Sequence, residues 1–512
     1  MDGLNTIMMQ RTIFYSLLII LTGFFISCRK FADDYLDELP NKESGIPIST
    51  LAHLESILDN HNVMCQEEGG SIRLYATDDY GLIPESVAQS GPFHTFPTVI
   101  FNGLWDRNIS ATLGNSDWST QWGVIFRANL VLGNLDKVPG SEADKMRLRA
   151  EAHYVRAMSY WVLANTYCLP YTKTTMAQNG SELGLPIKTS TDFEGDLTRA
   201  SLAATYDFIQ SDLAEALKVN EPLIKEGRVR SWRANVAGVH AFLARFYLNM
   251  EEYALAEQHA NTSLEAYSVL VDYNDPAEIS MMPQLPGFPS TIFSYEDPVL
   301  WKEFTSFRLM SHNGFVVPSQ DLMQIYGSTA ETAQNDLRYH YFMVENGGAI
   351  YGVSAPMLYY QLGFNYLNSG TTVGETLITK AEAQARQNKV DAAITTANIL
   401  REKRMLSTLP ANIINLSAST QAEAITKILQ ERRRELPLAT RWFDLRRLNH
   451  NADASDNITV NRPFFAYNGA GIIPGSAIQT YTLEPGSRKY AMMIPQTDIV
   501  ASQQVIVQNR YD

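Results

Sequence analysis

Two stretches of this chain, LARFYLNMEEYALAEQHA (243–260) and KAEAQARQNKVDAAITTAN (380–398), restrict its fold more than any other feature. Each is an Ala-rich helical segment, a short polar turn and a second Ala-rich helical segment. Tyr253, Ala256 and Ala260 recur at spacings of three and four, the period of one helix face. An alanine stripe leaves that face thin, so a neighbouring helix can approach closely. A hairpin of this kind buries its stripe only by stacking on further helices, which predicts a mainly α architecture rather than a sheet.

Further helices are expected at 51–58, where Leu51, Leu54, Ile57 and Leu58 form a stripe, and at 118–138, 141–167, 199–219, 231–249 and 421–436. Ser141 can cap the third of these, with acidic residues in its first turn. Trp122 and Trp161 lie at helical spacing among apolar residues and are assigned to the core. The repeat-like helices thus occupy about 119–267 and 373–447, and long loop-rich insertions fall at 62–118, 268–372 and 448–512. YTLEP and YAMMIPQ in the last insertion read as strands. The hairpins resemble tetratricopeptide repeats, with two clear units.

The N-terminus carries a separate message. The apolar run TIFYSLLIILTGFFIS (12–27) is shorter than the ~20 residues that span a bilayer and suits the core of a secretory signal. It stops at Ser27-Cys28, and the sequence turns polar and acidic at once. The arrangement resembles a bacterial lipobox, with Phe25 where Leu is usual. Residues 1–27 are then a signal peptide, Cys28 the lipidated residue and 28–50 a tether. An ordinary signal peptide with an incidental Cys is the alternative, and translation can begin at Met1, Met8 or Met9. Cleavage removes Asp2 and Arg11, one charge of each sign, so net charge stays at −14. That acidity, with no Lys/Arg patch, argues against a nucleic-acid partner. Cys65 and Cys168 can form one disulfide or remain two buried thiols; without a CxxC, a Cys-type zinc site is not expected.

No catalytic motif is present: no Gly-x-Ser-x-Gly, no His-Glu-x-x-His, no phosphate-binding Gly loop. Asp272, Asp275 and Glu278 do not have the spacing of a calcium loop. No cofactor, metal or catalytic residue is assigned. Aromatic residues, 11% of the chain, are the remaining chemistry. Sugar rings stack on flat aromatic side chains while polar groups take their hydroxyls. In loop-like stretches the candidates are Tyr75, Tyr80, Phe96, Trp105 and Trp118, then Tyr295, Trp301, Tyr359, Tyr360 and Tyr366. Asp78, Asp79, Asn102 and Arg107 can supply polar contacts. For any one of them, loop packing or contact with a partner is the favoured alternative, since aromatics mostly fill cores and interfaces.

Several motifs then converge: Cys28, WGVIFRANLVL (122–132), RAEAHYVRAMSYWVLANTY (149–167), GLPIKT (184–189), ANILREKR (397–404), ERRRELPLATRWFDLRR (431–447), and MMIPQTDI with VQNRYD at the end. Together they resemble the SusD/RagB outer-membrane lipoproteins of Bacteroidetes. The resemblance implies a SusD-like fold over 51–512 and a lipid-anchored, outward-facing protein of the outer membrane. It implies capture of glycan oligomers for a SusC-like TonB-dependent transporter, without enzymatic chemistry. Peptide capture in a RagAB-like system is the alternative, and a surface glycosidase ranks third. Within ERRRELPLATRWFDLRR, Arg441, Asp444, Arg446 and Arg447 are expected to pair with Glu431 and Glu435 in a structural lattice.

Overall fold

Both Ala-rich stretches fold as helical hairpins with the same turn. Val236–Asn249 leads into Tyr253–Ala266, and Val373–Arg386 into Val390–Glu402. Each three-residue connection places its middle residue in the left-handed region, Glu251 at φ 62° and Asn388 at φ 61°. In each, the next residue's N–H reaches five back, Glu252 to the Tyr247 carbonyl and Lys389 to the Gln384 carbonyl, both 2.9 Å. The hairpins stack through alanine: Ala256 and Ala383, both fully buried, pack together with Leu248. Ala381, Ala385, Ala393 and Ala397 line the contact with Gln421–Glu435 around Ile428.

The computed structural model describes residues 48–84, 96–114, 116–192, 195–279, 298–312, 316–345, 357–359, 366–469 and 471–511. The described residues from 51 onward form one compact unit. Cys28, Tyr295 and Tyr360 lie outside the described residues. Among those described, the fold is mainly α with few, short strands. The longest helix, Glu142–Tyr167, begins as expected at Ser141, whose Oγ accepts the Asp144 N–H. No described helix is long and apolar enough to cross a membrane.

The loop-rich stretches contain helices too short to show a period, among them Ser71–Tyr75, Pro97–Gly103, Arg107–Thr112, Gln320–Tyr326 and Leu337–Phe342. A small sheet joins distant regions: Gln66–Glu67 runs parallel to Leu309–Ser311, which pairs antiparallel with Tyr366–Asn368. YTLEP does contribute a strand, Gln479–Leu483, paired with Val460–Phe464. YAMMIPQ does not. Its backbone is satisfied one group at a time: Met492 N–H by the Thr166 carbonyl, Met492 O by Asn509 Nδ2, and both polar groups of Ile494 by the Gln508 amide. Cys65 and Cys168 are separate buried thiols, not a disulfide. Asp272 accepts from Lys403, Glu278 faces Lys302, and no described group of acidic or His side chains is arranged to hold a metal.

The Arg–carboxylate lattice exists, with other partners than the sequence suggested. Glu431 accepts from Arg338 (2.7 Å), Arg401 (2.6 Å) and Arg434 (3.1 Å), and Glu435 from Arg404 and Arg338. Leu438 at φ 70° turns the chain between Gln421–Glu435 and Arg441–Leu448. The latter's charges therefore aim elsewhere. Asp444 binds Arg432 and Arg447, Arg447 binds Glu382 bidentately (2.6 and 2.7 Å), and Arg446 donates to the Tyr490 and Cys168 carbonyls. Arg441 crosses to Asp78.

Candidate ligand-binding cleft

A cleft of about 1110 Å³ lies where three loop-rich regions meet the end of Gln421–Glu435. One wall is 80–84, the second is 317–325, and the third is 458–463 with Ile478; Gln430, Arg433 and Arg434 complete it. Backbone bonds join the first two walls. Tyr80 bridges Pro318, Gly81 N–H donates to the Val317 carbonyl (2.8 Å), and Ser319 N–H donates to the Asp79 carbonyl (2.7 Å). A Cβ at Gly81 would lie 3.0 Å from the Pro318 carbonyl oxygen, so this close approach favours glycine. Ser319 Oγ both caps the Gln320–Tyr326 helix and donates to the Asp78 carbonyl.

Beneath the first wall stands Arg462, buried, from the third. Its Nη1 donates to the Tyr75 and Gly103 carbonyls and its Nη2 to those of Thr77 and Tyr80, at 2.6–3.0 Å. Its guanidinium lies 5.0 Å from the centre of the Trp105 ring. Burial, without a carboxylate in hydrogen-bond contact, pulls this arginine down to about 10. On the helix side, Arg433 Nε donates to Asp79 Oδ1 (2.6 Å) and Arg441 grips both oxygens of Asp78 (2.8 and 2.7 Å). Burial opposes ionisation of Asp78, but Arg441 and Arg433 outweigh it and hold that carboxyl well below the usual range. Asp79 is pushed up by burial and by its charged neighbour Asp78.

The exposed lining is rich in amides and hydroxyls: Gln320, Gln324, Gln430, Thr459 and Asn461, with the carboxylate of Asp321. Ile83, Pro318, Met323, Pro463 and Ile478 supply apolar surface. Such a surface suits a neutral ligand with many hydroxyl or amide groups. Among the described lining residues the carboxylates are Asp321 and the arginine-bound Asp78.

Of the residues singled out from the sequence, Asp78 and Tyr80 line this cleft. Others lie beneath it as supports, and here burial corrects the expectation of an open stacking face. Trp105 is wholly buried, donating from Nε1 to the Ala76 carbonyl, and Tyr75 packs edge-on to Tyr80 at 5.1 Å. Asp79 is locked as described. Asn102 is buried and donates to the Thr98 carbonyl; Arg107 is buried, donating to the Lys489 carbonyl over Trp442. Trp301 and Tyr359 are buried against Tyr273 and Phe342 respectively. Tyr366 is half-buried in the small sheet. Phe96, 44% exposed, precedes the Pro97–Gly103 helix. Trp118 belongs to a different pocket with Trp122, which packs on Trp118 and Tyr160 but is only partly buried, at the edge of the core rather than inside it. Gln320, Gln324, Gln430 and Asn461 were not anticipated, because lone amides in polar loops carry no local signal.

A helix-hairpin scaffold with a cleft built from its insertions defines the class of protein. Residues 34–248 match the family described as starch-binding associating with outer membrane, and residues 365–511 match the SusD family. Among solved structures, a SusD-like protein from Bacteroides fragilis is 16% identical with a TM-score of 0.62, covering 92% of this chain and 99% of its own. A SusD-like carbohydrate binding protein from Bacteroides vulgatus is 19% identical (TM-score 0.58; 89% and 97% covered). A laminarin binding SusD-like protein is 18% identical (TM-score 0.57; 90% and 98% covered). No curated protein matches. The chain belongs to the SusD/RagB family.

Proposed function

We propose that this protein captures glycan oligomers at the cell surface and hands them to a SusC-like TonB-dependent outer-membrane transporter. In this reading it is held by lipid at Cys28 and performs no chemistry on the ligand. The observation that carries the reading is the cleft: about 1110 Å³, open, and lined by amides and aliphatic side chains together with Thr459, Asp321, Arg433 and Arg434. The family match and the laminarin-binding relative support it. Its floor is fixed by Arg462, Arg433 and Arg441, so little ordering remains to be done on binding. Anchoring needs more than one acyl chain, since a single chain holds a membrane only marginally.

The test is calorimetric titration of the full chain with laminarin and starch oligosaccharides, and with peptides of matched length. Gln324→Trp, which fills the cleft mouth, is the control. Saturable oligosaccharide binding that the variant loses without a change in melting temperature is expected. Binding of peptides alone, or oligosaccharide binding indifferent to Gln324→Trp, overturns the reading.

A further inference from the structure

Three carboxamides stand open in the cleft. The side chains of Gln320, Gln324 and Gln430 are exposed there and enter no hydrogen bond or ion pair among the described residues. Each keeps two donors and a carbonyl acceptor for a ligand. Gln320 and Gln324 stand four apart on the Gln320–Tyr326 helix, so they share a face, with roughly 5–6 Å between Cβ atoms. Gln430 lies one turn before Arg434 on Gln421–Glu435. The two helices are tied together there: Arg434 Nε donates to the Ile325 carbonyl (2.6 Å), and Tyr326 Oη donates to the Arg434 carbonyl (2.8 Å).

The other polar lining is partly spent. Thr459 Oγ1 donates to Glu484 (3.0 Å), and Asn461 Oδ1 accepts from Thr482 (2.9 Å). Arg433 is bound to Asp79, Arg434 to Glu431 and Asp78 to Arg441. Both Nη groups of the buried Arg462 are taken by backbone carbonyls. Asp321 is exposed and makes no ion pair among the described residues, so a uronate or sulfate near it would meet a like charge.

The apolar lining is aliphatic. Met323 adjoins both glutamines on their helix face, and Ile478 is 50% exposed on the third wall. The aromatic residue among the described lining, Tyr80, is 2% exposed and packs on Tyr75, so it offers a sugar ring no flat face. Two neighbouring hydroxyls of a plain hexose can bond both ends of a carboxamide, but they bring no methyl to the aliphatic surface. An acetamido group brings both: an N–H and a C=O that pair with the carboxamide, and a methyl that leaves water.

We infer that the cleft selects oligosaccharides of N-acetylhexosamine, whose acetamido groups pair with the Gln320, Gln324 and Gln430 carboxamides and seat their methyls on Met323 and Ile478. This rests on the glycan reading of the cleft and narrows it; oligomers of plain hexose bind the same cleft more weakly.

Calorimetric titration of the full chain with chitotetraose and cellotetraose tests it, since the two share one backbone and differ in the acetamido group. Chitotetraose should bind about ten-fold tighter, the scale of a paired amide and a buried methyl. Gln320→Leu combined with Gln324→Leu should remove most of that advantage. Unchanged melting temperatures identify folded variants, and Gln430→Leu, on the other helix, decides if the double variant does not fold. Chitotetraose binding no tighter than cellotetraose, with laminarin oligosaccharides still bound, overturns the selectivity and leaves the glycan reading standing. No saturable binding of any oligosaccharide overturns both, and a capped alanine tetrapeptide that binds instead marks the cleft as a peptide site. A preference unchanged in both variants overturns the pairing with the glutamines.

Discussion

Glu431→Gln tests whether the buried charges hold the C-terminal segment. Glu431 is fully buried and is the shared acceptor of Arg338, Arg401 and Arg434. Gln preserves its shape and removes the charge. Arg434 can turn to solvent, and Arg338 keeps Asp336 and Glu435. Arg401 retains only the Ile413 and Ile414 carbonyls. Removing one partner from a buried pair costs about 3–5 kcal/mol, and the retained contacts of Arg338 place this case near ~3 kcal/mol. At ~2 cal/mol/K of unfolding entropy per residue, the 51–512 unit loses roughly 3 °C of melting temperature by calorimetry. The control is Glu215→Gln, whose exposed pair with Lys218 should leave the melting temperature where it was. Equal shifts for the two variants, or none for Glu431→Gln, would refute the claim that buried partners rather than net charge set the effect.

Trp161 is 1% exposed and braced by Phe242 and Phe443, so Trp161→Ala should cost about 3–5 kcal/mol in denaturant unfolding; the partly buried Trp122 should cost less. For Asp444, burial is outweighed by Arg432 and Arg447, which lower its carboxyl from 3.8 to about 2. Its stabilisation, roughly 2 kcal/mol by linkage, is complete above the unfolded value and is lost as pH falls from about 4 toward 2; Asp444→Asn should flatten stability across that window, and an unchanged acid limb counts against it. Burial pushes the Cys65 thiol up to about 12, so neither it nor the equally buried Cys168 should react with iodoacetamide until the protein is denatured. Cys28→Ala should leave the protein unprocessed or release it from the outer-membrane fraction; unchanged mobility and fractionation would place the anchor elsewhere.

The scaffold was legible because alanine spacing is a local property. Ala256, Ala260, Ala381 and Ala385 announce close-packed faces whatever lies opposite them, and the two hairpins follow. Trp105 shows where legibility ends. An aromatic residue among polar neighbours reads the same whether it faces a ligand or fills the space under a loop. What decides is Arg462, far along the chain, whose guanidinium covers the ring. Trp122 fails in the opposite direction: its helical spacing says core, but the facing loop leaves a pocket beside it. The cleft amides had no signal because Gln324, Gln430 and Asn461 come from three separate stretches and meet only in the fold.

The charged block is the intermediate case, and it links fold to site. Its composition shows that arginines must find carboxylates, but not which ones. Asp78 and Asp79 were read as ligand contacts because they sit in an irregular, aromatic-rich stretch. In the structure their charge goes inward, to Arg441 and Arg433, and their backbone carbonyls receive Ser319 from the opposite wall. The same residues therefore fasten one cleft wall to the helical scaffold and to the second wall. The cleft's floor depends on these ion pairs, while its exposed amides are free of that duty. A substitution at Gln324 should alter binding without altering the fold; one at Asp79 should alter both, because it unfastens the wall on which the cleft is built.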